Sequence, residues 1–403
     1  MNKVSVIFGT RPEAIKLAPV LLELQKYSSI KTHVCVTGQH RELLDQVLHI
    51  FDILPHVDLD LMRPGQSLSE FASRALIALD SYLAEYRPNF VLVQGDTTST
   101  FVASLAAFYN KIIIGHVEAG LRSFHKYAPF PEEINRLLTS HMADYHFAPT
   151  ETSKANLQKE GIRADRILVT GNTGIDALFF ALDKIKKDEL EESLLDQLST
   201  QIPSIRSILR DNVSRLVLVT GHRRENFGKG FDQICLALKD IAELEGVQIV
   251  YPVHLNPNVQ EPVSRFLKNH QKIHLIEPLD YFPFVYLMAK SYLILTDSGG
   301  IQEEAPSLGK PVLVMRHVTE RAEVVHSGAA KVVGSDRMAI VAETQRLLDN
   351  PQAYKSMSNT PNPYGDGQAS KRIVSHLLSA MEGPGEDYSR ISGNHQPPVH
   401  PSL

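Results

Sequence analysis

Three acidic residues stand where an enzyme built from alternating strands and helices sets its working groups, just past the carboxyl ends of predicted strands. Asp96 follows the apolar run 90–93 and precedes a row of hydroxyls, Thr97 to Thr100. Glu118 follows the run 112–115, in HVEAGLRS, and Glu132 opens PEEINR, where Pro131 suits a first helical position and an acid is favoured by the helix dipole. Carboxylates placed this way move protons or stabilise positive charge on a substrate carbon. His222, directly after the run 216–219, adds an imidazole able to exchange protons near neutral pH or to donate to a phosphate. Plainer readings stand beside these: capping for Asp96 and Glu132, an ion pair to Arg122 or Arg136 for Glu118, and a backbone-bonded loop histidine for His222. Three acids at successive strand ends together favour chemistry.

The segment Ser291 to Arg316 suggests what they act on. An apolar strand leads into Asp297-Ser298-Gly299-Gly300, which combines helix-capping side chains with two conformationally free residues, and a helix is predicted from Ile301. Backbone N–H groups at such a helix start, with the positive end of its dipole, favour phosphate oxygens. Glu304, one turn further in, is placed to accept both hydroxyls of a ribose, so the segment reads as a nucleoside diphosphate site and the ligand as a sugar nucleotide. An ordinary capped helix is the alternative. Arg11 and Lys16, flanking the first helix start, and Arg223 and Arg224 in the second half offer cationic clamps for a leaving diphosphate. Neither a G-x-G-x-x-G nor a P-loop motif occurs, so hydride and kinase chemistry lose support and no cofactor is expected.

Positioning these groups calls for parallel sheets. Short buried strands (90–93, 112–115, 216–219, 292–296) alternate with helical patterns such as 14–27 and 68–86, the signature of an α/β protein. The chain has 403 residues, 43% of them hydrophobic and 22% charged, enough for two cores with a cleft between them. A strand, glycine, arginine and helix occur both near residue 9 and after Arg215, so a second, similar unit begins near 215, with the boundary placed near 172 at Gly171-Asn172-Thr173-Gly174. The charged stretch 184–201 reads as a solvated helix, 359–367 as a turn-rich loop, 368–381 as a last helix, and the Pro-, Gly- and Ser-rich tail from 382 as disordered. A net charge of −5 with scattered Lys and Arg argues against nucleic acid. The apolar runs fall short of the roughly 20 residues that span a bilayer. Two distant cysteines, Cys35 and Cys235, and a start too short for a secretory segment fit the cytoplasm.

The motifs GTRPE (9–13), GDT (95–97), HVEAGLR (116–122), PEE (131–133), GHRRE (221–225) and the segment 296–309 together resemble the non-hydrolysing UDP-N-acetylglucosamine 2-epimerases, a likeness that runs from Lys3 to about Met381. The resemblance implies the glycosyltransferase-B fold, with two Rossmann-like domains facing across a cleft. The first would span 1–171 and be completed by a C-terminal helix at 366–381; the second, holding UDP, would span 172–365. It further implies diphosphate contacts from Ser298, Gly299 and Gly300, ribose contact from Glu304, and ligand contacts from Arg11, Lys16 and Arg321. Phe282 would lie beside the uracil, Asp96, Glu118, Glu132 and His222 would be catalytic, and the protein would be a homodimer acting on UDP-N-acetylglucosamine and UDP-N-acetylmannosamine. Some members bind substrate at a second, activating site through a Gln-His-Arg segment, here Gln39-His40-Arg41, although Glu42 replaces the glutamine of regulated members. The chain departs from the family pattern at Arg316-His317-Val318, Ala322 and Ser123-Phe124-His125, which puts loop geometry near Arg321 and Glu132 in question. Competing expectations are a hydrolysing epimerase, a glycosyltransferase of the same fold, and a non-catalytic sensor.

Overall fold

The computed structural model describes residues 1–38, 41–211 and 213–382, so Gln39, His40 and the tail 383–403 lie outside the described residues. Seven parallel strands form the first sheet: β1 (Asn2–Phe8), β2 (Ile30–Val36), β3 (Val57–Asp58), β4 (Phe90–Gln94), β5 (Ile113–Val117), β6 (Tyr145–Ala148) and β7 (Ile167–Val169). Six form the second: β8 (Arg215–Thr220), β9 (Val247–Pro252), β10 (Ile273–Ile276), β11 (Leu293–Thr296), β12 (Val312–Val314) and β13 (Ala330–Val332). Helices cover both faces of a parallel sheet, so its central strands read as near-continuous apolar runs rather than alternating; β4 and β11 are buried at every position.

The strand orders are β3-β2-β1-β4-β5-β6-β7 and β10-β9-β8-β11-β12-β13. In each sheet the order reverses beside its first strand, and loops leaving a reversal in opposite directions open a crevice at the carboxyl ends. Residues 9–11 and 95–97 leave the first crevice, and residues 221–223 and 297–299 leave the second. The chain is therefore α/β with two Rossmann-like sheets, the glycosyltransferase-B arrangement.

Helix starts follow side-chain chemistry more closely than apolar periodicity. The first helix begins at Arg11, three residues before the pattern predicts, because Glu13 accepts hydrogen bonds from the N–H groups of Gly9 and Thr10 at 3.0 and 2.7 Å. Leu68–Tyr86 begins as its Ser67 and Glu70 require, with Ser67 N–H donating to Glu70 at 2.7 Å. The stretch 184–201 is not one solvated helix. It holds the end of helix Thr173–Lys187 and a separate helix, Glu191–Ser199, whose Leu194, Leu195 and Leu198 are buried against the second sheet's helices. Charged residues mask that apolar stripe in the composition.

The chain crosses between the two sheets twice. At the first crossing Gly171 (φ +89°) packs against Gly365 of the second; a Cβ on Gly171 would stand 3.3 Å from both the Gly365 Cα and the Tyr364 carbonyl oxygen. Asn172 N–H donates to that carbonyl at 2.7 Å. After the second crossing the helix Ala369–Glu382 returns to the first sheet and buries Ile373, Val374 and Leu377 with Leu17, Leu21 and β1. Its start is capped from another helix: Asp176 accepts from Ala369 N–H, Ser370 N–H and Ser370 Oγ at 3.2, 2.8 and 2.6 Å. Asp176→Ala removes this cap, and we expect a loss of about 1–2 kcal/mol in urea unfolding, with faster proteolysis near residue 368.

Candidate active site

A cavity of about 480 Å³ lies at the carboxyl edge of the first sheet, lined by Lys16, Asp96, Glu118, Glu132 and Arg136, with Arg321 entering from the second sheet. Asp96, placed by the turn after β4, receives Arg136 Nε and Nη2 on Oδ2 at 2.8 and 2.7 Å. Burial raises its pKa, and the Arg136 charge offsets only part of that. Glu132, at the start of helix Glu132–Met142, keeps Oε2 buried without a hydrogen-bond partner. The neighbouring Glu133 faces the other way and accepts from the N–H groups of Ser123 and Phe124 at 3.0 and 2.8 Å, and from Arg136 at 3.0 Å. Backbone donors thus tie residues 123 and 124 to Glu133, and Ser123 Oγ accepts from His125 N–H at 3.2 Å within the same loop.

Glu118 adopts φ +65°, a left-handed conformation unfavourable for a residue with a side chain and common at functional turns. The bend aims its carboxylate at Lys16, Gln94 and Asn172, all of which donate to it, Asn172 at 3.1 Å. The plainer expectation of a pair with Arg122 or Arg136 is not met, since Arg122 is bound to Glu160 at 2.7 Å and Arg136 to Asp96 and Glu133. Burial opposes charge on Glu118, yet Lys16 outweighs it and holds the pKa below the ordinary carboxylate value. Lys16 likewise resists burial through Glu118 and Glu303, and its pKa is raised.

The second sheet contributes from its own crevice. His222 N–H donates to both oxygens of Asp297 at 3.1 and 2.9 Å, and its ring stacks on His254 with centroids 5.2 Å apart. Burial lowers the His222 pKa despite the Asp297 carboxylate 3.7 Å away, so the ring is neutral at pH 7. Asp297 is fully buried and also accepts from Arg223 N–H at 2.8 Å; instead of capping its own helix, it braces the loop holding His222. Ser298 precedes the short helix Gly299–Glu304 without a side-chain capping bond, leaving that turn's N–H groups to other partners.

Gly299 lies directly beneath Arg321: a Cβ there would meet the guanidinium carbon at 3.0 Å, whereas Gly300 faces open space. Arg321 pairs with Glu303 and Glu320 at 2.7 and 3.1 Å, and Arg316 with Glu225 and Glu320 at 2.5 and 2.7 Å, which orders the departing 316–322 segment. Glu304 sits near Lys16, both groups 3.7 Å from where a Gly174 Cβ would be. Burial, then the adjacent Glu303, raises the Glu304 pKa to about 8. Phe282 is buried in the helical core behind β11, with Phe284 on the same helix partly open. Arg11 is half-buried at the head of its helix and Arg224 is exposed.

The structure thus gathers Asp96, Glu118, Glu132, Lys16 and Arg321 around one space, with Glu304 and Gly299 adjoining. Sequence reasoning missed Asn172, Glu303, Arg136, Glu133 and Asp297 as functional supports. Asn172 links the halves: its Nδ2 donates to Glu118 at 3.1 Å and to Glu303 at 2.9 Å. Arg136, one helical turn past Glu132, carried a signal in its spacing; Asn172 carried none.

A family model for UDP-N-acetylglucosamine 2-epimerase matches residues 22–378. The chain is 54% identical over 376 residues to the Escherichia coli K12 UDP-N-acetylglucosamine 2-epimerase, covering 93% of this chain and 98% of that one. It is 50% identical over 380 residues to the Campylobacter jejuni enzyme, covering 94% and 98%. The crystal structure of the Neisseria meningitidis UDP-GlcNAc 2-epimerase bound to UDP-GlcNAc superposes with a TM-score of 0.85 at 51% identity, covering 94% of this chain and 100% of that one. The Methanocaldococcus jannaschii enzyme in complex with UDP-GlcNAc and UDP gives 0.74 at 35% identity, covering 94% and 99%. Sequence, fold and clustered acids agree: the chain belongs to the UDP-N-acetylglucosamine 2-epimerase family.

Proposed function

We propose that this protein interconverts UDP-N-acetylglucosamine and UDP-N-acetylmannosamine by inverting C2 through loss and re-addition of UDP. The observation that carries the reading is the set of three carboxylates around one cavity, faced by a cation from the opposite sheet. Relatives captured with UDP-GlcNAc and UDP support the ligand class.

The chemistry explains the groups. C2 has no adjacent carbonyl, so removing its proton alone would leave an unstabilised carbanion. If a base takes the C2 proton while the C1–O bond breaks, the electron pair becomes the C1=C2 bond of a 2-acetamidoglucal and UDP carries away the negative charge. Returning a proton to the opposite face as UDP re-adds to C1 completes the inversion. Lys16, Arg321 and the N–H groups at Ser298, Gly299 and Gly300 stabilise the diphosphate as its charge develops. Glu304 accepts the ribose hydroxyls, Phe282 lies on the uracil side, and Arg11 adds a ligand contact.

Environment divides the acids. Burial lets Asp96 hold a proton at higher pH than usual, whereas Lys16 keeps Glu118 ionised; environments that separate two pKa values separate proton donor from base or charge stabiliser. Glu132, with its unpaired oxygen, serves as the second proton carrier, and neutral His222 donates to the diphosphate. Closure of the cleft keeps the glucal from escaping. We further infer domains at 1–171 with 366–381, and at 172–365. We infer a cytoplasmic homodimer, supported by the exposed Ile77, Phe108 and Tyr109 on neighbouring helices, and a role in supplying surface polysaccharides. Among the described residues no helix is long and apolar enough to cross a membrane.

Incubation with UDP-N-acetylglucosamine in deuterated water is expected to place deuterium at C2 of both sugar nucleotides; absence of label overturns the mechanism, and free N-acetylmannosamine would indicate hydrolysis instead. Asp96→Asn and Glu118→Gln should slow that exchange by about 100- to 10,000-fold with UDP affinity nearly unchanged. Glu304→Ala should weaken UDP roughly tenfold or more, measured by calorimetry. Glu304 also gives a pH signature. A carboxyl whose folded pKa is raised contributes stability that is complete below its unfolded value of 4.5 and lost as pH climbs through about 8. Glu304→Gln should therefore gain stability over the unmodified protein between pH 5 and 8, read by thermal melting.

A further inference from the structure

The cations nearest the expected diphosphate are already engaged within the protein: Lys16 with Glu118 and Arg321 with Glu303. One neutral side chain touches both of those carboxylates. Asn172 Nδ2 donates to Glu118 Oε1 at 3.1 Å and to Glu303 Oε2 at 2.9 Å, while its Oδ1 accepts from Gly174 N–H at 2.8 Å. Asn172 is buried and heads the helix Thr173–Lys187, at the crossing between the sheets. Glu118 follows β5 of the first sheet, and Glu303 lies in the helix after β11 of the second. The amide therefore ties the two halves where the chain first crosses between the sheets.

We propose, resting on the epimerase reading, that Asn172 is a positioning residue that holds Glu118 and Glu303 in a single register, so that closing the cleft sets Glu118 against the sugar. A diphosphate that draws Lys16 away removes the strongest partner of Glu118. Asn172 and Gln94 then keep its carboxylate aimed and ionised, with Asp96, Arg136 and Arg321 as the other charged groups around the same cavity. A neutral donor suits this place. A lysine would compete for the diphosphate, and an acid would repel both neighbours.

Asn172→Ser tests the proposal, because serine still caps the helix and so protects folding, but loses the reach to both carboxylates. We expect kcat for C2 exchange to fall about 100-fold, with KM and UDP affinity within twofold and the melting temperature lowered by only a few degrees, as the loss of two buried hydrogen bonds requires. The acid limb of the kcat profile should move to higher pH, since Glu118 has lost a donor to its ionised form. Asn172→Asp keeps the cap but adds a third carboxylate, and should lose more activity. Unchanged kcat with an unmoved acid limb overturns the proposal. Parallel losses of activity, UDP affinity and melting temperature also overturn it, since they mark a merely structural role. Absence of exchange in the unmodified protein strikes the epimerase reading itself and takes the proposal with it.

Discussion

Two buried ion pairs, Lys16 with Glu118 and Glu303 with Arg321, are bridged by the neutral amide of Asn172 into one polar chain from sheet to sheet, and the remaining features of the cleft are arranged around it. Carboxylates removed from water need partners, and Glu118 and Glu303 each find them within hydrogen-bond reach. Each ion pair closes within its own half, Lys16 with Glu118 and Glu303 with Arg321, and the Asn172 amide joins the two pairs. The bonds to that amide fix where Glu118 and Glu303 stand relative to one another, and apolar packing behind them holds the arrangement.

Around this chain the acids are sorted by surroundings alone. Asp96 and Glu118 are both carboxyls at strand ends of one sheet, yet burial dominates the first and a lysine the second, so their affinities for protons move in opposite directions. Supporting residues supply the precision. Glu133 and Asp297 bind backbone N–H groups of neighbouring loops, so Glu132 and His222 are held by main-chain geometry rather than by their own side chains. The unusual Ser123 and Phe124 are held by their backbone N–H groups, whereas the unusual Arg316 orders its own segment through its side chain, paired with Glu225 and Glu320.

Much of this was legible in the residues. Strands at 90–93 and 216–219, the α/β class and the helix 68–86 follow from apolar runs and a capping serine, because those signals are local. The acids were legible since each stands directly after a strand. What was hidden depends on pairs distant in sequence. Asn172 looks like any polar residue in a glycine-rich turn, and its two carboxylate partners lie 54 and 131 positions away. Asp297 was read as capping the helix beside it, whereas it braces a loop 75 positions earlier. The helix 191–199 was obscured because its buried leucines are scattered among acids.

The returning helix 369–382 fills a groove on the first sheet that only the last part of the polypeptide can supply. On the ribosome, Leu17 and Leu21 emerge about 350 residues ahead of Ile373 and Leu377. The amino-terminal half thus leaves the exit tunnel with an open apolar seam, and it becomes a finished body only after its partner half has already been made.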